Sequence, residues 1–366
     1  MDLARSVVAA KLANCGPPLY ERVEQLGVAA GLTKKRVTLA DVARLAGLSS
    51  AAASMILTGR PDTRLSAEAH RRVHEAAAQL GYRPNLAAKA LRTDKTHTIA
   101  FISDYVATTR YANGLIRGAL AAAQEAGHVL LLLETGGEPV REVQAIEAAL
   151  DRQVDGIIFA AMRAREVFVP TLPAATRVVM LNGTSSRFPL SVLPDEYAGG
   201  RSAVDLLVAA GHRDHIALVG HNQIAEHGLF RSDTVARRIA GIHSAMREHH
   251  LGFVAEESCW EWEPQHGFEL TRKILAQRPD VRALLCLNDR LAFGAYQALA
   301  EAGRPVPETA VIGFDNDEIA GYLRPGLTTI ALPHEEMGRA AVNLLLSPGS
   351  TGEHLVQMPV VARASI

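Results

Sequence analysis

The sequence is poor in cysteine and in aromatic side chains. Three cysteines are scattered along the chain, and aromatic residues make up 5% of it. The odd, widely spaced set of Cys15, Cys259 and Cys286 indicates neither a disulfide framework nor a zinc site. His212, His215 and His221 are spread over a predicted strand and its flanks, and His249 with His250 resembles an ordinary surface pair. We therefore expect no disulfide, no metal and no cofactor.

Long apolar runs and enzyme motifs are also missing. No stretch of about 18 uncharged apolar residues is present, which excludes a predicted membrane span. Residues 1–35 precede the first recognisable pattern, and Arg5 and Lys11 interrupt any apolar core that a secretory signal needs. The chain has no GxGxxG after a strand, no GxxxxGK[ST], no GxSxG and no HExxH. We expect a cytoplasmic protein that is not an enzyme, and we assign no role to residues 1–35.

Residues 36–84 have the pattern of a small helical DNA-binding headpiece. Thr38 can cap a helix over residues 39–45 because its hydroxyl can accept a first-turn N–H. Gly47 supplies a tight turn, and Ser49 can cap a second short helix. Two short helices joined by a glycine turn are the parts of a helix-turn-helix, whose second helix enters the major groove.

The charge distribution supports this interpretation. Twelve basic and five acidic residues lie between positions 34 and 95, a net charge near +7, whereas the whole chain carries −1. A basic head before an acidic body is typical of a nucleic-acid binder whose body stays off the DNA. The alternative is an alanine-rich helical pair with solvated arginines, but the two capped helices favour DNA.

A series of motifs in fixed order resembles the LacI/GalR family of bacterial transcription regulators. The resemblance begins at Val37 and continues through nearly the whole chain. The motifs are TLADVARLAG (38–47), Ser49 with Ser54, LGYRPN (80–85), LAAKALR (86–92), VDGIIF (154–159), LVAAGH (207–212), CLNDRLAFGAYQAL (286–299), VIGFDN (311–316) and YLRPGLTTI (322–330).

The resemblance implies which headpiece residues contact DNA. Ser50, Ala51 and Met55 replace a bulky polar pair and an arginine that are common in the family, so bidentate base contacts are unavailable there and operator choice depends more on DNA shape. The RPDTRL loop after Gly59 is longer than in many relatives. The predicted DNA-binding residues are Thr38, Ser49, Ser50, Ala51, Ser54, Met55, Thr58, Arg60, Arg64, Tyr82, Asn85, Ala88, Lys89 and Leu91.

Residues 85–95 are expected to form a hinge helix. So short a helix is marginal in water. In the family it folds when two subunits lie side by side on an operator. A leucine that matches Leu91 then enters the minor groove, and a small residue that matches Ala88 lets the paired helices approach. Separating bases costs roughly a few kcal/mol, which the contacts of the bent DNA offset. The alternative is a flexible linker with Leu91 packed on the body.

The remaining residues, 96–366, read as an α/β body. Continuous apolar strands separated by helices indicate parallel sheets buried on both faces. The length favours two lobes, and the resemblance implies a periplasmic-binding-protein type I-like core. Its first lobe would cover about 97–193 with a return after about 322, and its second about 195–320 with the last strand. Predicted strands are 98–103, 128–134, 156–161, 177–182, 215–220, 283–288 and 310–315.

The resemblance also places an effector between the lobes. Asn, Asp and Arg groups beside an aromatic ring suit the hydroxyls of a sugar. Other interpretations are that Asn288 or Asp315 caps a helix, that Trp262 is a surface aromatic, and that Arg238 pairs with an acid. Leu332 and Arg110 depart from sugar-binding relatives, which leaves nucleobases and phosphorylated sugars open. The predicted effector residues are Tyr111, Asn182, Thr234, Arg238, Trp262, Asn288 and Asp315.

Together these patterns predict a homodimeric repressor of a pseudopalindromic operator, controlled by a small molecule. The chain stops soon after the segment MPVVARA, so we expect no tetramer-forming helical tail. A transport binding protein with the same body fold is an alternative, but it would lack the basic headpiece. The family includes both induction and corepression, and the sequence does not distinguish them.

Overall fold

The computed structural model describes residues 37–57, 65–83, 95–109, 112–162, 167, 169, 171–221 and 233–366. Internal contacts divide the chain into two compact units, Met1–Lys89 and Ala90–Ile366. The first contains the headpiece, and the second contains the α/β body.

Three capped helices form the headpiece: α1 (Leu39–Ala46), α2 (Ser50–Leu57) and α3 (Ala67–Leu80). Thr38 begins α1 with a capping box, in which its hydroxyl accepts from the Asp41 N–H at 3.3 Å. Gly47 ends α1 in the left-handed conformation at φ 65°, and the Ser49 hydroxyl accepts from the Ala52 N–H at 3.1 Å at the start of α2. The predicted caps are confirmed.

Helices α1 and α2 meet at 103°, the angle of a helix-turn-helix. Small side chains and a few branched ones fill the space between the three helices, including Val42, Ala53, Ile56 and Val73. Arg72 of α3 connects two of these helices by a hydrogen bond: its Nε donates to the Ala46 carbonyl at the end of α1, at 2.9 Å. A cation at the carbonyl end of a helix is favourable for both charge and hydrogen bonding.

The first lobe of the body is a parallel six-stranded sheet in the order β11-β5-β4-β3-β1-β2. Alternate residues of its central strands face opposite layers. Phe101 and Ile158 pack with α4 and α11, whereas Ile102 and Phe159 pack with α5. The elements are β1 (Thr98–Ser103), α4 (Asn113–Glu125), β2 (Val129–Glu134), α5 (Pro139–Asp151), β3 (Gly156–Ala160), β4 (Val178–Leu181), β5 (Ser191–Pro194), α11 (His334–Leu346) and β11 (Glu353–Val356).

The second lobe has a matching sheet in the order β12-β10-β9-β8-β6-β7, parallel except for β12, which runs antiparallel to β10. One large apolar core includes its central strands and the helices on both faces. The elements are α6 (Glu196–Ala209), β6 (Ile216–His221), α7 (Asp233–Glu248), β7 (Phe253–Ser258), α8 (Pro264–Gln277), β8 (Ala283–Cys286), α9 (Asp289–Glu301), β9 (Ala310–Asp315), α10 (Glu318–Tyr322), β10 (Thr328–Ala331) and β12 (Val360–Val361).

The chain passes between the lobes near residue 195, after Ala331 and again after Val356. The return to the first lobe, predicted after about residue 322, does not begin before Ala331, because β10 pairs with β9 and so belongs to the second lobe. The first-lobe return instead begins with α11, whose buried Met337 and Val342 join the first-lobe core.

Reciprocal glycines allow pairs of helices in the body to approach closely. At Gly200 of α6 a Cβ would overlap the Arg238 carbonyl of α7, and at Gly241 of α7 one would overlap the Tyr197 carbonyl of α6. The α4–α11 and α8–α9 pairs have the same arrangement. These contacts fix α7, which carries Arg238, directly against α6.

Within the described ranges, no single helix is long and apolar enough to cross a membrane. The bent α1–α2 pair passes such a test by length and composition.

Candidate functional site

The exposed side of α2 carries the residues predicted to meet DNA bases. Ser50 and Ala51 are exposed, Ser54 and Met55 are half-buried, and Ala52, Ala53 and Ile56 face the headpiece core. Because their spacing follows the helical period, the four predicted DNA-contacting residues share the side of α2 that points away from α1 and α3.

Other headpiece predictions have a structural role in this conformation. The Thr38 hydroxyl donates to Asp41 at 2.7 Å, so its hydrogen is already engaged. Tyr82 is half-buried and packs against the headpiece core. Arg44 pairs with Asp41 at 3.0 Å, and Arg71 pairs with Glu68 and Glu75. Part of the basic surplus seen in the sequence is therefore used within the headpiece.

Several predicted DNA and effector positions lie outside the described residues. They are Thr58, Arg60, Arg64, Asn85, Ala88, Lys89, Leu91, Arg110 and Tyr111.

In the second lobe, the predicted effector residues lie together at the carboxyl ends of the strands. Arg238 is buried and stacks on Phe314, with its guanidinium carbon 4.4 Å from the ring centre and 5.8 Å from that of Trp262. Its Nη1 donates to the Leu287 carbonyl at 2.6 Å, and its Nη2 lies 3.4 Å from the Asp315 carboxylate. Thr234 is buried one turn earlier on α7.

The principal partner of Arg238 is Glu196, which sequence reasoning missed. Its two carboxylate oxygens accept from Arg238 at 2.6 and 2.8 Å, and both side chains are 3% exposed. This two-point contact fixes the guanidinium plane. Burial alone would lower the pKa of Arg238, but the charges of Glu196 and Asp315 raise it instead. The alternative that Arg238 pairs with an acid is therefore correct.

Asp315 ends β9 in an uncommon backbone conformation, with φ 97°. Asn182 directly follows β4 in the first lobe and has φ 52°. Left-handed conformations at non-glycine residues cost energy and occur often where side chains are aimed at a ligand. Burial raises the pKa of Asp315 to about 6, against the lowering effect of Arg238.

The Asn182 amide is held by its nitrogen, which donates to the Ala161 and Met162 carbonyls at 2.9 and 3.2 Å. Its oxygen is therefore the atom that can accept from a ligand. Asn288 is more fully engaged: its oxygen caps α9 through the Leu291 N–H at 2.8 Å, and its nitrogen donates to the Trp262 carbonyl at 3.2 Å. The capping interpretation of Asn288 is confirmed, whereas Asp317 rather than Asp315 caps α10.

Two further residues shape this site. Trp262 donates its indole N–H to the Gly220 carbonyl at 2.9 Å, which fixes the ring beside the strand ends. Asp289 is fully buried below Asp315 and accepts from the Thr329 hydroxyl at 2.7 Å and the Asp317 N–H at 2.8 Å. Burial and the Asp315 charge raise the pKa of Asp289 above its usual value. Leu332 packs on the second-lobe core.

Comparisons with known proteins agree with this architecture. Residues 38–85 match the family of bacterial regulatory proteins, lacI family, and residues 204–366 match a periplasmic binding protein-like domain. The Ribose operon repressor of Escherichia coli (strain K12) is 30% identical over 84% of this chain and 92% of its own length. The HTH-type transcriptional repressor PurR of Vibrio campbellii is 31% identical over 87% of this chain and 93% of its own length.

Solved structures support the same assignment. The crystal structure of the Lac repressor dimer bound to operator and the anti-inducer ONPF superposes with a TM-score of 0.70 and 26% identity, over 90% of this chain and 99% of that one. The fold is therefore that of a DNA-binding regulator with an effector-binding body. The chain belongs to the lacI family of bacterial regulatory proteins.

Proposed function

We propose that this protein is an operator-binding transcriptional repressor whose affinity for DNA is set by a neutral, polyhydroxylated effector held between the two lobes. The observation that carries the effector class is the buried Glu196–Arg238 pair beside Asp315 and Trp262. The ribose, purine and lac repressors among its relatives and structural neighbours support the repressor role.

The charges of the second-lobe site favour an uncharged ligand. Glu196 already occupies the two-point face with which Arg238 would clamp a carboxylate or phosphate. Asp315 lies 3.4 Å from the same guanidinium, so a carboxylate or phosphate brought to the remaining face of Arg238 would meet an acidic group. A polyol offers hydroxyl donors to Asp315 and to the Asn182 oxygen, and an apolar ring face to Trp262.

We further propose that the site binds its ligand without transforming it. Two of the carboxylates in the second-lobe site are tied to neighbouring protein atoms, Glu196 to Arg238 and Asp289 to Thr329. The third, Asp315, faces the Arg238 guanidinium at 3.4 Å, which orients it towards hydrogen bonding with a ligand hydroxyl. Because a bacterial regulator must reach chromosomal DNA, we propose that this protein acts in the cytoplasm.

DNA binding would follow the helix-turn-helix mode. The exposed residues Ser50 and Ala51, with Ser54 and Met55, would face the major groove, where small hydroxyl and methyl contacts read shape more than single bases. In a homodimer, each of the two headpieces would bind one half-site of a pseudopalindromic operator, and residues 85–95 would form the hinge between headpiece and body. The similar Lac repressor structure is a dimer bound to operator, which supports this proposal.

A thermal-shift screen of the full chain tests the effector class. A ligand that binds only the folded state raises the melting temperature by mass action. We expect shifts with uncharged sugars or polyols, loss of the shift in Asp315→Asn, and retention in Arg339→Gln, whose Glu125 partner lies in the first lobe. Shifts with phosphates or small acids alone would contradict a neutral effector.

Operator binding is tested on DNA selected from a random pool by the full chain. We expect Leu91→Ala to weaken binding to the selected sites while the effector-induced thermal shift is unchanged. Equal DNA affinity for Leu91→Ala and the parent chain would contradict the minor-groove role of Leu91 and would leave the effector assignment intact.

A further inference from the structure

Two histidines and a glutamate converge beside the second sheet, a little more than one helical turn along α7 from Arg238. His221 ends β6, His243 lies on α7 and Glu256 lies on β7. Nδ1 of His221 is 3.3 Å and Nε2 of His243 is 3.6 Å from the same Glu256 oxygen, Oε2. The three atoms all lie within 4.8 Å of one another.

The local backbone aims His221 at this point. The β6–β7 register shifts between Val219 and His221, and Gly220 between them has φ 98°. A Cβ at Gly220 would also overlap the Leu291 side chain, so glycine is needed there on both counts. A break in register at the end of a strand re-aims the following side chain.

Aromatic packing orients the second histidine. The His243 ring meets Phe253 edge-on at 5.8 Å and 85°, and it is tilted by 57° against His221 at 6.1 Å. The rings are therefore not stacked on each other, and one nitrogen of each faces Glu256. The side chains of His221, His243 and Glu256 are 15%, 30% and 37% exposed. Solvent can therefore reach all three groups although each is partly buried.

His221 Nδ1 forms a hydrogen bond with Glu256 Oε2 at 3.3 Å, but this separation and that of His243 are long for charge-assisted bonds and match the spacing of metal ligands. Charge-assisted N–H···O⁻ contacts shorten to about 2.7–2.9 Å. Ligands around a tetrahedral zinc ion, at about 2.0–2.2 Å from the metal, stand about 3.4 Å from one another. The two measured distances of 3.3 and 3.6 Å bracket that edge length. The third separation, between the two imidazole nitrogens, is at most 4.8 Å.

We propose that His221, His243 and Glu256 form a binding site for a divalent transition-metal ion such as Zn²⁺. Two imidazoles and one carboxylate supply three protein ligands, and water would complete the shell. The ligands are far apart in sequence and follow no metal-binding spacing, which is why sequence reasoning predicts no metal. The ion would tie α7 to the β6–β7 edge, and because it binds the folded arrangement, it would stabilise the second lobe.

Zinc titration of the metal-stripped full chain against a chromophoric chelator tests the site. His243→Ala and Glu256→Gln each remove one ligand. His249→Ala is the matched control, because His249 also lies beside a carboxylate, Asp205 at 2.7 Å, but belongs to no cluster of three ligands among the described residues. We expect one zinc per parent chain and per control chain. Affinity should fall more than about 100-fold in the two ligand variants, beyond the effect of losing an outer-shell partner.

Two further readouts separate the site from general histidine binding and from misfolding. Co²⁺ in place of zinc should give visible absorption bands in the parent and in His249→Ala, and lose them in His243→Ala. Melting temperatures without metal should stay close to the parent's, and Glu256→Gln keeps the test valid if His243→Ala fails to fold. Equal zinc affinity in all four proteins, or no zinc uptake by the parent, would overturn the proposal.

Discussion

Glu196 and Arg238 show how one buried residue pair can set both stability and ligand class. Two charges removed from water are costly, and they are tolerated only when their hydrogen-bonding capacity is met. Glu196, Leu287 and Asp315 meet that of Arg238. The pair is thus a fixed part of the second lobe, next to the other predicted effector residues.

Glu196→Gln should destabilise the second lobe strongly. The variant leaves the Arg238 charge buried without its main partner, which costs about 3–5 kcal/mol in comparable buried pairs. Urea unfolding followed by tryptophan fluorescence measures it, since both tryptophans, Trp260 and Trp262, lie in this lobe.

The adjacent arginine is the control for that experiment. Arg237 makes its ion pair with Glu353 at the surface, about one-third exposed on both sides. Arg237→Gln should cost less than about 1 kcal/mol, as solvent-exposed pairs do. Equal losses in Glu196→Gln and Arg237→Gln would show that burial does not determine the contribution of the 196–238 pair.

The free energy of unfolding should depend on pH through Asp315, and the raised pKa of Asp315 sets the sign of that dependence. Its pKa is raised to about 6 from 3.8 in the folded protein, so the folded state binds a proton more tightly than the unfolded chain. The free energy of unfolding therefore falls as pH rises from about 4 to 6, and this contribution is constant above that window.

Asp315→Asn removes this titration. The stability of the parent relative to the variant should decline between pH 4 and 6 and then level off, which urea unfolding at a series of pH values will measure. A relative stability that rises with pH would mean that pairing with Arg238, not burial, dominates the pKa of Asp315.

At the scale of elements, the sequence predicts the longer apolar strands well and the short or polar strands poorly. The predicted strands at 98–103 and 310–315 coincide with β1 and β9, because continuous apolar runs are typical of strands covered on both faces. The strands β5, β7, β10 and β11 were not predicted. β5 and β10 are buried but only four residues long, while β7 and β11 carry polar residues and lie at sheet edges, where burial imposes no clear pattern.

The candidate effector site was predicted only in part, for a related reason. Arg238, Asp315 and Trp262 are visible in the sequence through the family resemblance. Glu196 is not, because an acid in the first turn of a helix is favourable at any exposed N-terminus. Only the close packing of α6 on α7, at Gly200 and Gly241, buries Glu196 against Arg238. Long-range pairing of this kind has no local signal.

Arg72 illustrates an element-level contact that would be mistaken for DNA binding. It is a basic headpiece residue, yet it donates to the Ala46 and Gly47 carbonyls and so holds the end of α1. Arg72→Gln should destabilise the headpiece by about 1 kcal/mol through loss of this cap. Amide hydrogen exchange in α1 measures the change, and DNA affinity should fall with it.

The salt dependence of DNA binding separates this role from a phosphate contact. Loss of one phosphate contact reduces the slope of log K against log salt by about 0.9. We expect Arg72→Gln to leave the slope unchanged. Arg71→Gln is the control, since Arg71 pairs only with Glu68 and Glu75 on the surface of α3. A reduced slope in Arg72→Gln would assign Arg72 to the DNA interface.

At the scale of the whole body, three chain crossings join two lobes of the same design. The crossings hold the lobes together but leave their relative position to weaker contacts. One of these is the ion pair between Arg237 on α7 of the second lobe and Glu353 on β11 of the first, with contacts of 2.7 and 2.9 Å. A contact present in only one arrangement of the lobes biases the equilibrium between arrangements by its own free energy.

Breaking the Arg237–Glu353 pair should therefore change effector affinity although neither residue belongs to the predicted effector site. An exposed pair worth up to about 1 kcal/mol shifts a two-state equilibrium by up to about fivefold. Arg237→Gln and Glu353→Gln should shift the dissociation constant in the same direction, and the double variant should shift it by less than the sum of the two, since both substitutions remove the same ion pair. Isothermal titration with the effector found in the screen measures the parent, the two single variants and the double variant. Arg339→Gln, whose Glu125 partner lies in the same lobe, should match the parent.

By reciprocity, the single variants must alter the effector's influence on DNA affinity to the same extent that they alter DNA's influence on effector binding. Additive effects of the two substitutions would instead mean that Arg237 and Glu353 act on the lobes independently.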